Sequence, residues 1–122
     1  MKLKKKTYII AEVGNNHEGN FNIARKLVDL AAKAGADAIK FQTFKTQNFI
    51  KKEDKKRFKQ LKKFELSYNQ FELLKKLAYK KKIDFISTPL DLESADFLMK
   101  HADAIKIASG DNNFFPLIEK VL

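Results

Sequence analysis

The chain has 122 residues and a formal net charge of +10, and 44% of its residues are apolar, including eleven Phe. Domains usually contain about 100–150 residues, so this length excludes a second full domain, and the apolar content excludes a disordered chain. The absence of cysteine excludes disulfides and thiolate metal sites, and it is typical of a reducing compartment.

The first residues are rich in lysine, but only a short apolar run, 8–11, follows them; these lysines are Lys2, Lys4, Lys5 and Lys6. A signal peptide needs a longer apolar region, and a membrane helix needs about 20 apolar residues. We therefore expect a cytoplasmic protein without a membrane partner.

Strand-like and helix-like segments alternate along the chain, and the predicted strands are 7–13, 38–44, 83–88 and 104–108. Asn20 is a suitable cap for the first helix, and Gly35 can end it in the left-handed conformation. Spacings of three and four residues predict the apolar face of this helix, which comprises Ile23, Leu27, Leu30, Ala31 and Ala34.

The later helices also carry start signals. Ser67 and Gln70 have the spacing of a capping box, and the helix that they open has Phe71, Leu74, Leu77 and Ala78 on one face. Asp91 can cap a third helix, whose apolar residues are Leu92, Ala95, Phe97, Leu98 and Met99. Asn113 and Pro116 are expected to begin a fourth helix, with Leu117, Ile118 and Val121 on its apolar face.

A basic connection, residues 45–66, joins the second strand to the second helix and carries nine basic and three acidic residues. It has the composition of a short helix near 55–63. Such a run could bind nucleic acid, but Arg57 is its only Arg, and Arg is the residue that reads bases. We expect a solvated face or, as the alternative, electrostatic attraction of a small anionic substrate, and no nucleic-acid partner.

The alternation of strands and helices predicts a parallel sheet, either open and doubly wound or closed as a barrel. No Gly-x-Gly-x-x-Gly motif follows the first strand, which disfavours a dinucleotide-binding fold. We predict an α/β fold made of parallel βα units of a TIM-type barrel, with about four of the eight strands in this chain.

Small and polar residues alternate with bulky apolar ones in the predicted strands. The predicted inward residues are Ile10, Glu12, Gly14, Ala38, Lys40, Gln42, Ala104, Lys106 and Ala108. The third strand directs either Ile86 and Thr88 or Phe85 and Ser87 inward. The uniformly apolar outward set comprises Ile9, Val13, Ile39, Phe41, Ile105 and Ile107.

The pentapeptide Ala-Asp-Ala-Ile-Lys occurs twice, at 36–40 and 102–106, and places a lysine near the carboxyl end of two strands. Lysine is almost never buried unless it is paired, so Lys40 and Lys106 indicate an anionic ligand such as a phosphate or carboxylate. The neutral donors predicted beside them are Thr88, Ser109 and the backbone amides at Ser109 and Gly110.

Two carboxylates and two histidines complete the set of candidates. Glu12 lies in the same inward register and is a candidate general base, while Asp111 is a second carboxylate at the opposite rim. His17, in a polar loop, is expected to lie at the surface or to fix its loop, and His101 is expected at a helix end. Two histidines so placed do not predict a metal site.

Four motifs resemble those of the sialic acid synthases, in the same order and with similar spacing. They are 11–19 (AEVGNNHEG), 40–43 (KFQT), 85–89 (FISTP) and 106–110 (KIASG), with 34–38 (AGADA) in agreement. The resemblance covers about residues 7–122. It implies that the chain is the amino-terminal half of the barrel domain, residues 1–122, without the rest of the barrel or the carboxyl-terminal antifreeze-like domain of the family.

The resemblance implies an enzyme that condenses phosphoenolpyruvate with an N-acylated hexosamine, such as N-acetylmannosamine, to give a sialic-type acid. Relatives make legionaminic or pseudaminic acid. Carried over by position, Lys40, Thr88, Lys106 and Ser109 bind phosphoenolpyruvate, Gln42 lies beside them, and Glu12 is the acid–base carboxylate. The full enzyme is expected to be a homodimer that uses manganese or magnesium to polarise the sugar aldehyde, with metal ligands outside this chain.

One position departs from the family pattern, because Asp111 stands where the family usually has a glutamate that contacts the sugar. The missing methylene shortens the reach of the carboxylate by about 1.5 Å, which suggests a different acceptor sugar or a weaker site. Half a barrel also predicts that these 122 residues alone have no synthase turnover.

Three alternatives stay open. In the first, the chain is a non-catalytic remnant that at most binds phosphoenolpyruvate. In the second, it belongs to another condensing synthase, such as the family making 3-deoxy-octulosonate phosphate. The third is a basic nucleic-acid-binding module, which would use residues 45–66 and would not need Lys40.

Overall fold

The computed structural model describes residues 7–122, which form one four-stranded parallel sheet with its helices. The strands are β1 (Ile10–Gly14), β2 (Ala38–Thr43), β3 (Asp84–Pro89) and β4 (Ala104–Ile105). The helices are α1 (Phe21–Lys33), α2 (Thr46–Phe49), α3 (Lys55–Phe64), α4 (Tyr68–Lys80), α5 (Leu92–His101) and α6 (Phe115–Val121). A 3-10 turn covers Ser109–Asp111. The lysines on which the membrane prediction partly depended, at 2 and 4–6, lie outside the described residues.

The strands are neighbours in chain order, β1-β2-β3-β4, and every pair is parallel. A doubly wound sheet reverses its strand order at a switch point, whereas a barrel adds each strand beside the previous one. The order in this sheet is the barrel order. The predictions of an α/β class and of barrel-type parallel βα units are confirmed.

The core lies between the sheet and the helices and is centred on aromatic rings. Phe41 and Phe85 stack at a centroid distance of 5.7 Å, and Phe71 of α4 meets Phe41 edge-on at 6.2 Å. Ile39 and Leu74 are fully buried in the same cluster. This apolar face belongs to the outward set of the predicted barrel, so the opposite face of the sheet carries the polar side chains.

Three predicted helix starts are confirmed by side-chain caps. Asn20 accepts from the backbone N–H of Ile23 at 3.1 Å, and Asp91 accepts from that of Ser94 at 2.9 Å. Ser67 and Gln70 form the complete capping box. Gly35, directly after the α1 cap residue, has the expected positive φ of +84°.

The predicted apolar face of α1 is confirmed only in part, because Ala31 is buried and Leu27 packs against the core, but the fully buried residues lie one stripe away. Ala24 and Val28 are fully buried, whereas Ile23 and Leu30 are 43% and 49% exposed. Both stripes are apolar, and the smaller residues let the helix approach the sheet closely. On α5, the predicted residues Ala95 and Leu98 are fully buried and Phe97 packs against the core, whereas Leu92 and Met99 are 36% and 53% exposed.

Element bounds also differ from the prediction. The basic connection holds the predicted short helix, α3, which Asp54 caps, and an additional four-residue helix, α2. The predicted fourth strand is reduced to two residues because it pairs only with β3 in residues 7–122, although Lys106 N–H still donates to Ser87 O at 3.0 Å. Asn113 does not cap α6, whose cap position is Phe114.

Over residues 7–122, the helices are all too short or too polar to cross a bilayer.

Candidate active site

The polar face of the sheet carries an ion pair in the middle of β1 and β2, and not at the ends of these strands as predicted for Lys40. Glu12 of β1 and Lys40 of β2 are directly opposite in the strand register, and Lys40 Nζ lies 2.7 Å from Glu12 Oε2. The lysine side chain is 21% exposed and that of Glu12 is 51% exposed. The pair neutralises a lysine that the apolar strand would otherwise hold with an uncompensated charge.

A bulge at the end of β1 sets the position of the Glu12 carboxylate. The register shifts between Glu12 and Gly14, and Gly14 has a φ of +54°, a conformation that L side chains rarely adopt. A Cβ at Gly14 would also lie 3.3 Å from Glu12 Oε1. The bare backbone at Gly14 therefore lets the carboxylate fold back beside it.

Gln42 follows Lys40 on the same face and is held by the loop after β1. Asn15 Nδ2 donates to Gln42 Oε1 at 2.9 Å, and both side chains are half-buried. This bond connects the β1–α1 loop to β2. It occupies the carbonyl oxygen of the Gln42 amide and leaves the amide nitrogen as the group that can donate to a ligand.

The register resolves which residues of β3 share this face. Gln42 pairs with Thr88, and Lys40 pairs with Ile86, so Ile86 and Thr88 lie on the polar face. Phe85 and Ser87 lie on the helix side, where Ser87 Oγ and Thr43 Oγ1 are 2.8 Å apart. The first of the two predicted alternatives for the third strand is therefore the observed one, with Thr88 6% exposed beside Gln42.

The candidates after β4 are not bonded to the Glu12–Lys40 pair within the described residues. Lys106 is exposed and its ammonium donates to the carbonyl of the next residue, Ile107. Ser109 and Gly110 are exposed in the 3-10 turn, and Asp111 is half-buried there. Among residues 7–122, no hydrogen bond or ion pair joins Lys106, Ser109 or Asp111 to Lys40 or Gln42.

His17 is a loop-fixing residue and not a surface residue. It is 1% exposed, and its Nδ1 accepts the Gly19 backbone N–H at 2.9 Å. Its ring lies 6.1 Å from that of Phe41, and its Nε2 is buried without a partner in residues 7–122. Burial lowers the pKa of His17 below its ordinary value because the charged form is desolvated.

The same loop packs tightly against the end of α3. Gly19 has a φ of +78°, and a Cβ there would lie only 2.0 Å from the Lys63 carbonyl oxygen. No side chain fits in this contact. The β1–α1 loop and the basic connection are therefore in direct contact at the carboxyl end of the sheet.

A carboxylate anchors the basic connection. Glu65 Oε1 accepts from the Thr46 backbone N–H at 2.7 Å and from the Thr46 hydroxyl at 2.9 Å, and Lys62 donates to Oε2 at 3.0 Å. Burial acts to raise the pKa of Glu65, but these bonds outweigh burial and hold the pKa below its ordinary value. Lys45, which begins the connection, lies 4.2 Å above the Tyr68 ring.

The donor set of this site does not fit a metal ion. Across 7–122, no three His, Cys, Asp or Glu side chains are close enough together to hold one. Glu12 has Lys40 as its near neighbour, and a cation at that place would compete with the ammonium. We derive no chemical step through a metal from these residues.

These features define a class of protein: barrel-type α/β proteins with charged and polar side chains along the face of the sheet opposite the helices. The NeuB family model matches residues 27–122. The chain therefore belongs to the NeuB family.

Relatives extend this similarity. The chain is 52% identical to the uncharacterised protein MJ1065 of Methanocaldococcus jannaschii, over 94% of this chain and 34% of that protein. It is 42% identical to the N,N'-diacetyllegionaminic acid synthase of Campylobacter jejuni, over 96% of this chain and 39% of that enzyme. The chain spans little more than a third of the length of these relatives.

A solved structure gives the same picture. The N-acetylneuraminic acid (sialic acid) synthetase of Leptospira borgpetersenii, crystallised with citrate, superposes with a TM-score of 0.89 and 34% identity. The match covers 98% of this chain and 45% of that one. The named relatives of known activity are synthases of sialic-type acids, so the predicted resemblance to the sialic acid synthases is confirmed, and with it membership of an enzyme family.

Proposed function

We propose that this chain is the phosphoenolpyruvate-binding half of a synthase that condenses phosphoenolpyruvate with an N-acylated hexosamine to a sialic-type acid. The Glu12–Lys40 ion pair, with Gln42 and Thr88 on the same face, is the observation that carries the proposal. The family of the chain and the synthases among its relatives support the substrate class.

Lys40 and Thr88 would bind the phosphate and carboxylate of phosphoenolpyruvate, and Lys106 and Ser109 would join them from the end of β4. Such binding requires Lys106 to leave the Ile107 carbonyl. Gln42 would donate from its amide nitrogen. Asp111 would contact the acceptor sugar.

In the proposed reaction the enol carbon of phosphoenolpyruvate forms a bond to the aldehyde carbon of the open-chain sugar. Water adds to the carbon that bears the phosphate, and the bond from that carbon to the phosphate oxygen breaks to release inorganic phosphate. The π electrons of the aldehyde carbonyl go to its oxygen, which becomes a hydroxyl. Glu12 would take one proton from the attacking water as a general base, which balances the proton gained by that oxygen, and the second water proton leaves with phosphate as the ketone forms.

The strength of the ion pair fits this role. Partly exposed pairs such as Glu12–Lys40 contribute about 0–1 kcal/mol, so an anion can take over Lys40 at little cost. Glu12 would then be free of its salt bridge when the substrate is bound. The ion pair thus keeps Lys40 in place without blocking the site.

Binding of phosphoenolpyruvate to the 122-residue chain, measured by titration calorimetry, tests the proposal. We expect saturable binding that Lys40→Ala weakens and that Lys33→Ala, a change at an exposed lysine on α1, leaves unchanged. An absence of binding, or equal losses in the two variants, would overturn the proposal.

Glu12→Gln separates the binding role from the acid–base role. The variant removes the competitor of the substrate for Lys40, so phosphoenolpyruvate should bind up to about fivefold more tightly. The full synthase carrying the same change should lose phosphate release from phosphoenolpyruvate and N-acetylmannosamine. Weaker binding by Glu12→Gln would assign Glu12 to the binding of substrate instead.

We expect the 122 residues alone to bind phosphoenolpyruvate without turnover, because half of a barrel supplies only part of the site. This expectation coincides with the alternative of a non-catalytic remnant. The full-length protein is expected to be a cytoplasmic homodimer that uses manganese or magnesium. Phosphate release by the 122 residues above the rate without protein would contradict the expectation of inactivity.

A further inference from the structure

We infer that Asn15 is a positioning residue that orients the Gln42 amide so that its NH₂ group faces the anionic substrate. The inference rests on the proposed function. Asn15 does not belong to the set of residues predicted to bind phosphoenolpyruvate. Its Nδ2 donates to Gln42 Oε1 at 2.9 Å, which is the contact that carries the argument.

The polarity of this hydrogen bond decides what Gln42 can offer a ligand. A primary amide has one acceptor oxygen and two N–H donors. Because Asn15 occupies the oxygen, the Gln42 nitrogen remains as the donor group on the polar face, two residues beyond Lys40. Phosphate and carboxylate oxygens accept hydrogen bonds, so this orientation suits phosphoenolpyruvate and the opposite one would repel it.

The loop that carries Asn15 is fixed at both ends. At its start, the bulge and Gly14 attach it to β1, and at its end Gly19 packs on the Lys63 carbonyl. In between, the buried His17 accepts from Gly19 and contacts Phe41. A loop held in this way fixes the position of the Asn15 side chain beside Gln42, and the Nδ2 of that side chain, which faces Gln42 Oε1, gives the hydrogen bond its direction.

The other polar atom of Asn15 is an acceptor that the substrate does not use. Its Oδ1 is buried and has no hydrogen-bond partner within residues 7–122. Buried acceptors are normally paired, so this oxygen is suited to accept a hydrogen bond from a water. Ionised phosphoenolpyruvate has no donor for it, so Asn15 acts on the substrate only through the Gln42 amide.

A double-mutant cycle on phosphoenolpyruvate affinity tests the inference. We expect Asn15→Ala to weaken binding about three- to tenfold, the range of one hydrogen bond, and to have no effect in a Gln42→Ala background. Asn22→Ala, an exposed change on α1, is the matched control. A merely structural role would lower affinity equally in both backgrounds, and this outcome would overturn the inference.

Asn15→Asp provides an independent test. A carboxylate only accepts, so Gln42 must turn its NH₂ group toward residue 15 and its oxygen toward the substrate. We expect a larger loss than for Asn15→Ala, and the loss should shrink to the effect of the added charge when Gln42→Ala is also present. Equal losses with and without Gln42 would overturn the inference, whereas a failure of the unmodified chain to bind would overturn the proposed function instead.

Discussion

The two copies of Ala-Asp-Ala-Ile-Lys, at 36–40 and 102–106, have the same sequence and different surroundings. The first copy enters β2, an internal strand, where Ile39 is fully buried and Lys40 is paired with Glu12. The second enters β4, which pairs only with β3 in the part of the chain described here, and Lys106 is exposed. The neighbouring strands, and not the pentapeptide, decide whether the lysine is partly buried and paired.

The aspartate of each copy nevertheless has the same task. Asp37 Oδ2 accepts the Ile9 backbone N–H at 2.8 Å, and Asp103 Oδ2 accepts the Phe85 N–H at 2.7 Å. In both copies the carboxylate binds a backbone N–H at the start of the preceding strand. The aspartate of the repeat therefore connects two consecutive strands, in addition to the lysine that the repeat places on the sheet.

The largest expected effect compares the two lysines. Lys40→Ala should weaken phosphoenolpyruvate binding about 10- to 100-fold, because a charge-assisted hydrogen bond from a prepositioned ammonium is lost. Lys106→Ala should cost less, about three- to tenfold, because the Lys106 side chain is exposed and must lose more conformational freedom when it binds. Calorimetric titration of both variants measures the ratio, and a greater loss for Lys106→Ala would refute this ranking.

The second comparison concerns the aspartates, and here the change in the second copy of the pentapeptide should have the larger effect. Asp103→Ala leaves the N–H of the fully buried Phe85 without its partner, so the free energy of unfolding should fall by about 1–3 kcal/mol. Asp37→Ala exposes the N–H of Ile9, a residue that is 55% exposed and can bind water, so it should cost less.

Urea unfolding of the two variants measures these losses. Asp103→Asn is the matched control, because its side-chain oxygen can still accept the hydrogen bond while the ion pair of Asp103 with Lys75 is lost in both variants. If Asp37→Ala is the more destabilising change, the interpretation that burial of the N–H sets the cost is incorrect.

Short-range signals could be predicted from the sequence, and contacts between strands could not. Asn20, Ser67 and Asp91 cap helices within three residues of their own positions, so spacing alone indicates them. The inward position of Glu12 and Lys40 followed from the alternation of polar and apolar residues. On β3, Phe85 and Ile86 are both apolar and Ser87 and Thr88 both carry hydroxyls, so only the observed register identifies the polar face.

The bond from Asn15 to Gln42 was missed because 27 residues separate its partners. The contact of His17 with Phe41 was missed for the same reason, since only folding brings the β1–α1 loop over β2. The two glycines at 14 and 19 were the available signal, because glycines so placed indicate a loop with positive φ angles and close packing.

The third prediction uses pH to compare the two histidines. The folded-state pKa of His17 is lowered, so below the ordinary value of 6.5 the unfolded chain binds a proton that the folded chain does not. The free energy of unfolding should therefore decrease as the pH falls below 6.5, until it passes the folded pKa. Unfolding between pH 7.5 and 5 should show this slope in the unmodified chain and a smaller slope in His17→Gln.

His101→Gln is the matched control for this measurement. His101 stacks on Phe97 at 4.5 Å and lies 3.5 Å from Glu72, with its side chain one-third exposed. Its replacement should preserve the decrease below pH 6.5. If His101→Gln removes the decrease and His17→Gln does not, the buried loop histidine is not its source.

The smallest expected effect concerns α3, which has six basic residues and no acidic one. The helix contacts the β1–α1 loop through Lys63 and Gly19, and so lies at the carboxyl end of the sheet. Its field should raise the rate at which an anionic substrate reaches the site. The double variant Lys59→Gln/Lys63→Gln should lower the association rate of phosphoenolpyruvate about two- to threefold at low salt.

Salt distinguishes this steering from direct contact. The Debye length falls from about 10 Å at 0.1 M to about 3 Å at 1 M, so the rate difference should vanish at high salt. Lys33→Gln/Lys80→Gln removes the same charge near the last turns of α1 and α4, which lead to the opposite end of the sheet, and should change the rate less. A difference that persists at 1 M salt would mean that Lys59 or Lys63 touches the substrate, and α3 would then belong to the site itself.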